Sequence, residues 1–192
     1  NAGIRIVFTD MRNELDPVQE VLHYEGGIRQ FVEHIHKVKG VDPISEEVIY
    51  FQGMEGDTFA EIALQYNDTY NDLILSFANN IHTPDGGTHE TGFKNALTKV
   101  TNQYARKLGF LKDADKNLSG EDAREGLCAV VSVKLPDAQF ESQTKAKLGN
   151  SEMRTLVEGL VNNKLATFLE ENPTVARTIL EKALLSSRAR EA

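Results

Sequence analysis

The sequence predicts an α+β sandwich, in which one mostly antiparallel sheet carries helices on one face and a C-terminal helical pair projects from it. Three observations carry this expectation. Two extended runs, 47–55 and 58–66, meet at Glu55-Gly56 as a hairpin. Segment 127–135 is apolar at both parities, the pattern of a central strand covered on both sides. Four further segments repeat apolar residues at intervals of three and four, the helical period.

In chain order, 4–10 alternates as a strand, and 11–20 is a polar connector punctuated by Asp16-Pro17. Ile28, Phe31, Val32, Ile35 and Val38 place one apolar stripe on a helix over 27–39, which Gly40 stops. In the hairpin's second strand Ala60, Ile62, Leu64 and Tyr66 share a face. Leu73, Leu75 and Phe77 alternate in a further strand over 72–79, and 81–87 is a loop. A long helix follows with the stripe Phe93, Ala96, Leu97, Val100, Tyr104 and Leu108, capped by Gly109. A polar stretch, 112–125, leads into the buried strand. Met153, Leu156, Val157, Leu160, Leu165, Phe168 and Leu169 line the first of the closing helices, with Asn150 or Ser151 as its cap. Asn172-Pro173 breaks it and starts the second, which turns Val175, Ile179, Leu180, Ala183 and Leu184 inward.

The 192 residues suffice for one domain with a sizeable core. No apolar run approaches the ~20 residues that span a bilayer and no signal-peptide pattern opens the chain, so a cytosolic protein is expected. The single cysteine, Cys128, reads as a small buried hydrophobe. A strand pattern begins almost at once and the last helix has no stop signal, which suggests a piece of a longer protein. The net charge of −8 argues against a general grip on nucleic acid. It is uneven: 143–192 holds eight Lys/Arg and six Asp/Glu, and 1–142 holds 13 and 23.

No complete catalytic centre emerges from composition. The run from Gly87 to Lys94 comes within one residue of a phosphate-binding P-loop, but Phe93 stands where the lysine is required. The helix entry Asp85-Gly86-Gly87-Thr88 offers backbone amides to an anion, or is a glycine turn with Thr88 as cap. Asp113, Asp115, Asn117 and Ser119 imitate the start of a calcium loop, but Leu118 replaces the turn glycine and Arg124 the bidentate glutamate. His34 and His36 cannot face one ligand from a helix, and His82 and His89 have no cysteine nearby. The loop Gln143-Thr144-Lys145 lies between the buried strand and a helix, where a lysine can be carried toward a phosphate as a point charge. Spacing alone describes Lys145 and Lys147 equally as the cations of a solvated loop.

Five motifs occur in fixed order: Tyr24-Glu25-Gly26-Gly27-Ile28, Phe77-Ala78-Asn79-Asn80-Ile81, Asp85-Gly86-Gly87-Thr88-His89, the run from Gly120 to Leu127, and Gln143-Thr144-Lys145. Together they resemble the transducer domain of bacterial type IIA topoisomerase ATPase subunits, as found in gyrase B and its topoisomerase IV equivalent. The resemblance covers about residues 20–192 and does not separate gyrase from topoisomerase IV. It implies a fold like the second domain of ribosomal protein S5, with a left-handed βαβ crossover. It divides the chain into the end of an upstream ATPase domain and a connector (1–20), a transducer sandwich (21–150) and C-terminal helices (151–192).

The resemblance also implies a function. Lys145 inherits a contact with the γ-phosphate of ATP, which stabilises transition-state charge, and Gln143 inherits the neighbouring polar contact. ATP and Mg²⁺ belong to the intact subunit, and the upstream domain holds the Mg²⁺, so this chain alone is expected to bind neither and to be inactive. The implied partners are DNA, a DNA-cleaving A-type subunit in an A2B2 complex, and a second copy of the same subunit through the upstream ATPase domain, in the bacterial cytoplasm. Arg188 and Arg190 are the candidates for lining the DNA cavity. Pro84 stands where some relatives carry a basic residue, a departure that weakens the case for a DNA contact from that loop. The alternative is a non-enzymatic nucleic-acid-binding module of the same superfold.

Overall fold

The computed structural model describes residues 4–10 and 17–24 as backbone, and 27–141 and 143–192 in full. Strands β1 (Ile4–Asp10) and β2 (Pro17–Tyr24) form a two-stranded antiparallel sheet, with Ile4 opposite Tyr24 and a register shift between Phe8 and Asp10. The polar connector expected over 11–20 therefore ends sooner, because 17–20 belong to β2. A polar strand that opens on proline suits a sheet with only edges. Residues 11–16 of the connector lie outside the described residues.

Helix α1 (Ile28–Lys39) precedes β3 (Ile49–Glu55), β4 (Thr58–Tyr66), β5 (Leu73–Ala78) and the two-residue β6 (Ile81–His82). Then come α2 (Thr88–Lys107), the single turn α3 (Gly120–Ala123), β7 (Leu127–Lys134), α4 (Ser151–Glu171) and α5 (Pro173–Glu191). The second sheet has the order β3-β4-β7-β5-β6, and only the β5–β7 pair is parallel. The sequence pattern concealed β6 and α3, which are too short to show a period.

Helices cover both faces of this sheet, not one. Ala60, Ile62, Leu64 and Tyr66 of β4 and Ala129, Val131 and Val133 of β7 face α2 and α4 in the main core. The alternate residues Ala63, Cys128 and Val130 face Ile28, Phe31, Val32 and Ile35 of α1. The expectation failed at β4, whose polar residues Glu61 and Gln65 look like a solvated face. Both are buried and satisfied instead. Glu61 accepts the Tyr50 hydroxyl at 2.9 Å, and Gln65 donates to the Ser45 carbonyl at 2.7 Å. Burial of a hydrogen-bonded polar group is tolerable where an unpaired one is not.

Nor do the C-terminal helices project. Met153, Val157, Val161 and Leu165 of α4 and Ala176, Leu180 and Ala183 of α5 join the main core. At Gly92 the backbones of α2 and α4 approach so closely that a Cβ would stand 2.6 Å from the Arg154 carbonyl oxygen. The end of α5 is tied to α3. Asp122, buried among these elements, closes a capping box with Ser119 and takes the Ser186 hydroxyl at 3.1 Å and Arg190 Nη2 at 2.6 Å.

Burial pushes the Asp122 carboxyl up, but the Arg190 guanidinium, the Ser119 amide and hydroxyl and the Ser186 hydroxyl outweigh it and hold it below the usual range. A carboxyl depressed in this way stabilises the fold above its unfolded pKa, near ~3.9, and loses that contribution as pH falls. In Arg190→Ala only burial and the weaker partners remain. The stability deficit of that variant against wild type is therefore expected to be largest at neutral pH and to shrink below about pH 4, read from urea midpoints across a pH series.

Candidate functional site

The parallel pairing of β5 with β7 brings two distant stretches to one end of the sheet. Ala78, at the end of β5, lies opposite Val133, near the end of β7, so the segments that follow them emerge side by side. After β5 the chain reverses through Asn79 and Asn80, at φ 51° and 66°, the two left-handed residues of a tight hairpin turn. Asn79 also clamps the other segment: its Oδ1 accepts the Leu135 amide at 2.9 Å, and its Nδ2 donates to the Leu135 carbonyl at 3.0 Å.

Beyond Leu135 the second segment folds back on itself as a pinned loop. Asn150 is the N-cap of α4, as expected from sequence, but its side chain makes no cap hydrogen bond. Its Oδ1 accepts the Gln139 amide at 2.6 Å, and its Nδ2 donates to the Asp137 carbonyl at 3.0 Å. The Gly149 amide donates to the Gln139 carbonyl at 2.7 Å, and the Glu141 amide to the Lys147 carbonyl at 2.9 Å. Phe140 bridges Leu148 between these rungs. The rungs close the base of the loop immediately below its tip at 143–145.

The 85–88 turn fastens the same loop from the side. The Asp85 amide donates to the Ala146 carbonyl at 2.9 Å, the Leu148 amide to the Gly86 carbonyl at 3.1 Å, and the Thr88 amide to the Leu148 carbonyl at 3.1 Å. Gly87 and Leu148 pair as a parallel bridge. The structure therefore brings together two motifs that sequence reading held apart. It also narrows one option, because the amides of Asp85, Gly86 and Thr88 are already spent on carbonyls. Gly87, not Thr88, is the cap of α2, and Thr88 Oγ1 is buried without a hydrogen-bond partner.

At the tip, Gln143, Thr144 and Lys145 are exposed, and Lys145 adopts φ 58°. Left-handed backbone is uncommon away from glycine and is found where surrounding structure holds it. The two loop lysines differ. Lys147 Nζ meets Glu141 Oε2 at 3.1 Å, whereas Lys145 makes no ion pair with any described residue. The arrangement presents one ammonium without an ion pair among the described residues, and one carboxamide, on a stem whose base is fixed by backbone hydrogen bonds.

Beneath the turn lies a buried polar chain that no motif in the sequence announces. Ser76 and Thr83 share a hydroxyl contact at 2.9 Å, Thr83 Oγ1 lies 3.1 Å from His89 Nε2, and Ser76 donates to Glu90 at 3.3 Å. Burial alone lowers the His89 pKa to about 4, so the ring is neutral at physiological pH. His89 then contributes fully above its unfolded pKa near ~6.5 and loses that contribution as pH falls toward about 4. The expected loss is on the order of 3 kcal/mol over that interval, and His89→Phe flattens it in a pH series of unfolding free energies. His36 has the same sign, its pKa lowered chiefly by burial. Its Nδ1 bonds the Val32 carbonyl at 3.2 Å and its Nε2 meets Asn67 at 3.1 Å.

The remaining candidates fall elsewhere. Arg188 is exposed on the last turn of α5, and Arg190, half-exposed, is engaged by Asp122. Both stand on a different element from the loop that holds Lys145. In the calcium-like stretch the Asp115 carboxylate accepts the Lys112 amide at 2.7 Å, the Asn117 carbonyl takes Arg106, and Ser119 caps α3. No group of three acidic, histidine or cysteine residues suited to a metal occurs among the described residues. Among them also no helix is long and apolar enough to cross a membrane. Of the residues missed by sequence reading, Asp122 left a signal, since Ser119 and Asp122 have capping-box spacing. The approach of Gly87 to Leu148 left none.

A family model described as DNA gyrase B matches residues 27–192. The chain belongs to the DNA gyrase B family. It is 54% identical over 193 residues to the gyrase B protein of Clostridium acetobutylicum, covering 100% of this chain and 30% of that relative. This gyrase B family chain thus spans about a third of the curated relative it matches. Among solved structures it resembles the 43K ATPase domain of Thermus thermophilus gyrase B in complex with an aminocoumarin, with a TM-score of 0.81 and 40% identity, over 99% of this chain and 50% of that one. It also resembles the topoisomerase IV ATP-binding domain of Francisella tularensis, with a TM-score of 0.74 and 27% identity, over 93% of this chain and 47% of that one.

Proposed function

We propose that this chain is the transducer part of the ATPase subunit of a type II DNA topoisomerase, an isomerase, in which Lys145 contacts the γ-phosphate of ATP and Gln143 supplies the adjoining polar contact. The observation that carries the reading is the contrast at the loop: Lys147 is neutralised by Glu141, and Lys145 is left exposed without an ion pair among the described residues. A lone ammonium fits a phosphate, as a donor set without spare acidic ligands does not fit a metal. The family resemblance assigns Mg²⁺ to the upstream domain.

In this reading ATP is the substrate of the intact subunit and supplies the phosphoryl group that water removes. Lys145 meets the charge on that group with a fixed cation, and a preorganised cation stabilises developing phosphoryl charge. The same contact exists only while the γ-phosphate is present, so it reports nucleotide state to the sheet and helices behind it. The S5-like fold with a left-handed crossover, dimerisation through the upstream domain, an A2B2 assembly with the DNA-cleaving subunit, and DNA contact near Arg188 and Arg190 complete the proposal. Family membership and the likeness to gyrase B and topoisomerase IV ATPase structures support it. The test is steady-state ATPase of the subunit extended upstream, with and without the Lys145 side chain. Turnover by the isolated chain, in a preparation free of contaminating ATPase, counts against the proposal.

A further inference from the structure

The geometry points to Gly87 as the positioning residue of the 143–145 loop, an inference that rests on the phosphate contact proposed for Lys145. Gly87 has φ 139° and ψ −166°, a region open essentially to glycine alone. A Cβ on it would stand 2.4 Å from the Leu148 carbonyl oxygen, 2.6 Å from the Leu148 nitrogen and 2.9 Å from its Cα. All three atoms are backbone, so no side chain can swing aside to make room. Leu148 is wholly buried and follows Lys145 by three residues, and rungs from Asp85, Gly86 and Thr88 hold the intervening chain. The absence of a side chain at 87 therefore sets how closely the loop lies against the start of α2, and with it where the ammonium stands. Glycine here serves the active complex, not only the turn.

The experiment compares full-length gyrase B proteins for kcat and KM of ATP hydrolysis. Gly87→Ala is expected to lower kcat about tenfold or more with KM nearly unchanged, because a shift of ~1 Å in a group that acts on the transition state costs up to ~100-fold. In a Lys145→Ala background Gly87→Ala should have no further effect. Gly109→Ala supplies the control for a positive φ alone, since Gly109 has φ 81° with no atom within 4 Å of the added Cβ. Should Gly87→Ala fail to fold, Asp85→Pro removes one exposed rung and is expected to lower kcat in the same direction by less. Unchanged kcat in Gly87→Ala, or in a folded Asp85→Pro when Gly87→Ala does not fold, beside a loss in Lys145→Ala overturns the positioning role and leaves the phosphate contact standing. Equal losses with and without Lys145 overturn it as well, since Gly87 would then act through stability alone. No loss in Lys145→Ala removes the contact itself and this inference with it.

Discussion

Turnover of the upstream-extended subunit is expected to fall about tenfold to a thousandfold when Lys145 is replaced by alanine, a loss of about 1.4 to 4 kcal/mol in transition-state stabilisation. The neighbouring lysine makes the comparison informative. Lys147→Ala removes the same charge two residues away, but that charge is already met by Glu141 at 3.1 Å, so turnover changes by less than about twofold. A general electrostatic effect of the loop would make the two variants alike. Lys145→Arg keeps the charge and replaces a compact ammonium with a planar fork on a longer stem, so it restores part of the lost turnover. Equal turnover in wild type and Lys145→Ala would return the tip to ordinary surface.

Phe93→Ala is expected to destabilise the chain by about 3 to 5 kcal/mol, to be read as a fall in the urea midpoint at unchanged slope. Phe93 is wholly buried in the main core, on the face of α2 that meets the sheet and α4. Deleting the ring removes its transfer free energy and leaves a cavity that a close-packed helix pair cannot collapse to fill. Phe93→Leu retains much of the volume and costs less, about 1.5 kcal/mol or below. This position explains why the run from Gly87 to Lys94 is no P-loop. The place that a P-loop gives to a phosphate-binding lysine is interior here, and an ammonium there would be buried without a counter-charge.

Much of this architecture was legible because apolar spacing reports which residues share a face. The stripe from Phe93 to Leu108 and the double-sided run of β7 both packed as their periods require. Where the pattern misled, polarity and burial had parted. Glu61 and Gln65 alternate with apolar residues as a solvated strand would, but Tyr50 and Ser45 satisfy them inside the protein. The partner of a helix stripe is also absent from a one-dimensional pattern, so α4 and α5 could be recognised as amphipathic without showing that they complete the core. At the candidate site the two loops were each visible as glycine-rich or lysine-bearing segments. Their adjacency was not, because it follows from the parallel pairing of β5 with β7 between residues far apart in sequence. Chain topology, rather than local composition, put Leu148 against Gly87.

The close approach of α2 and α4 at Gly92 has a mechanical result. With the Arg154 carbonyl seated where a side chain would otherwise stand, the two helices meet near their starting ends and have little freedom to slide there. Helix α4 starts at Ser151, directly after the pinned loop, and runs for 21 residues before α5 begins at Pro173. At 1.5 Å per residue it is about 31 Å long, so a tilt of ~10° pivoting near that contact carries its far end through about 5 Å. A tilt of that size would turn an ångström-scale displacement at the loop end of α4 into one comparable with a helical turn at its far end.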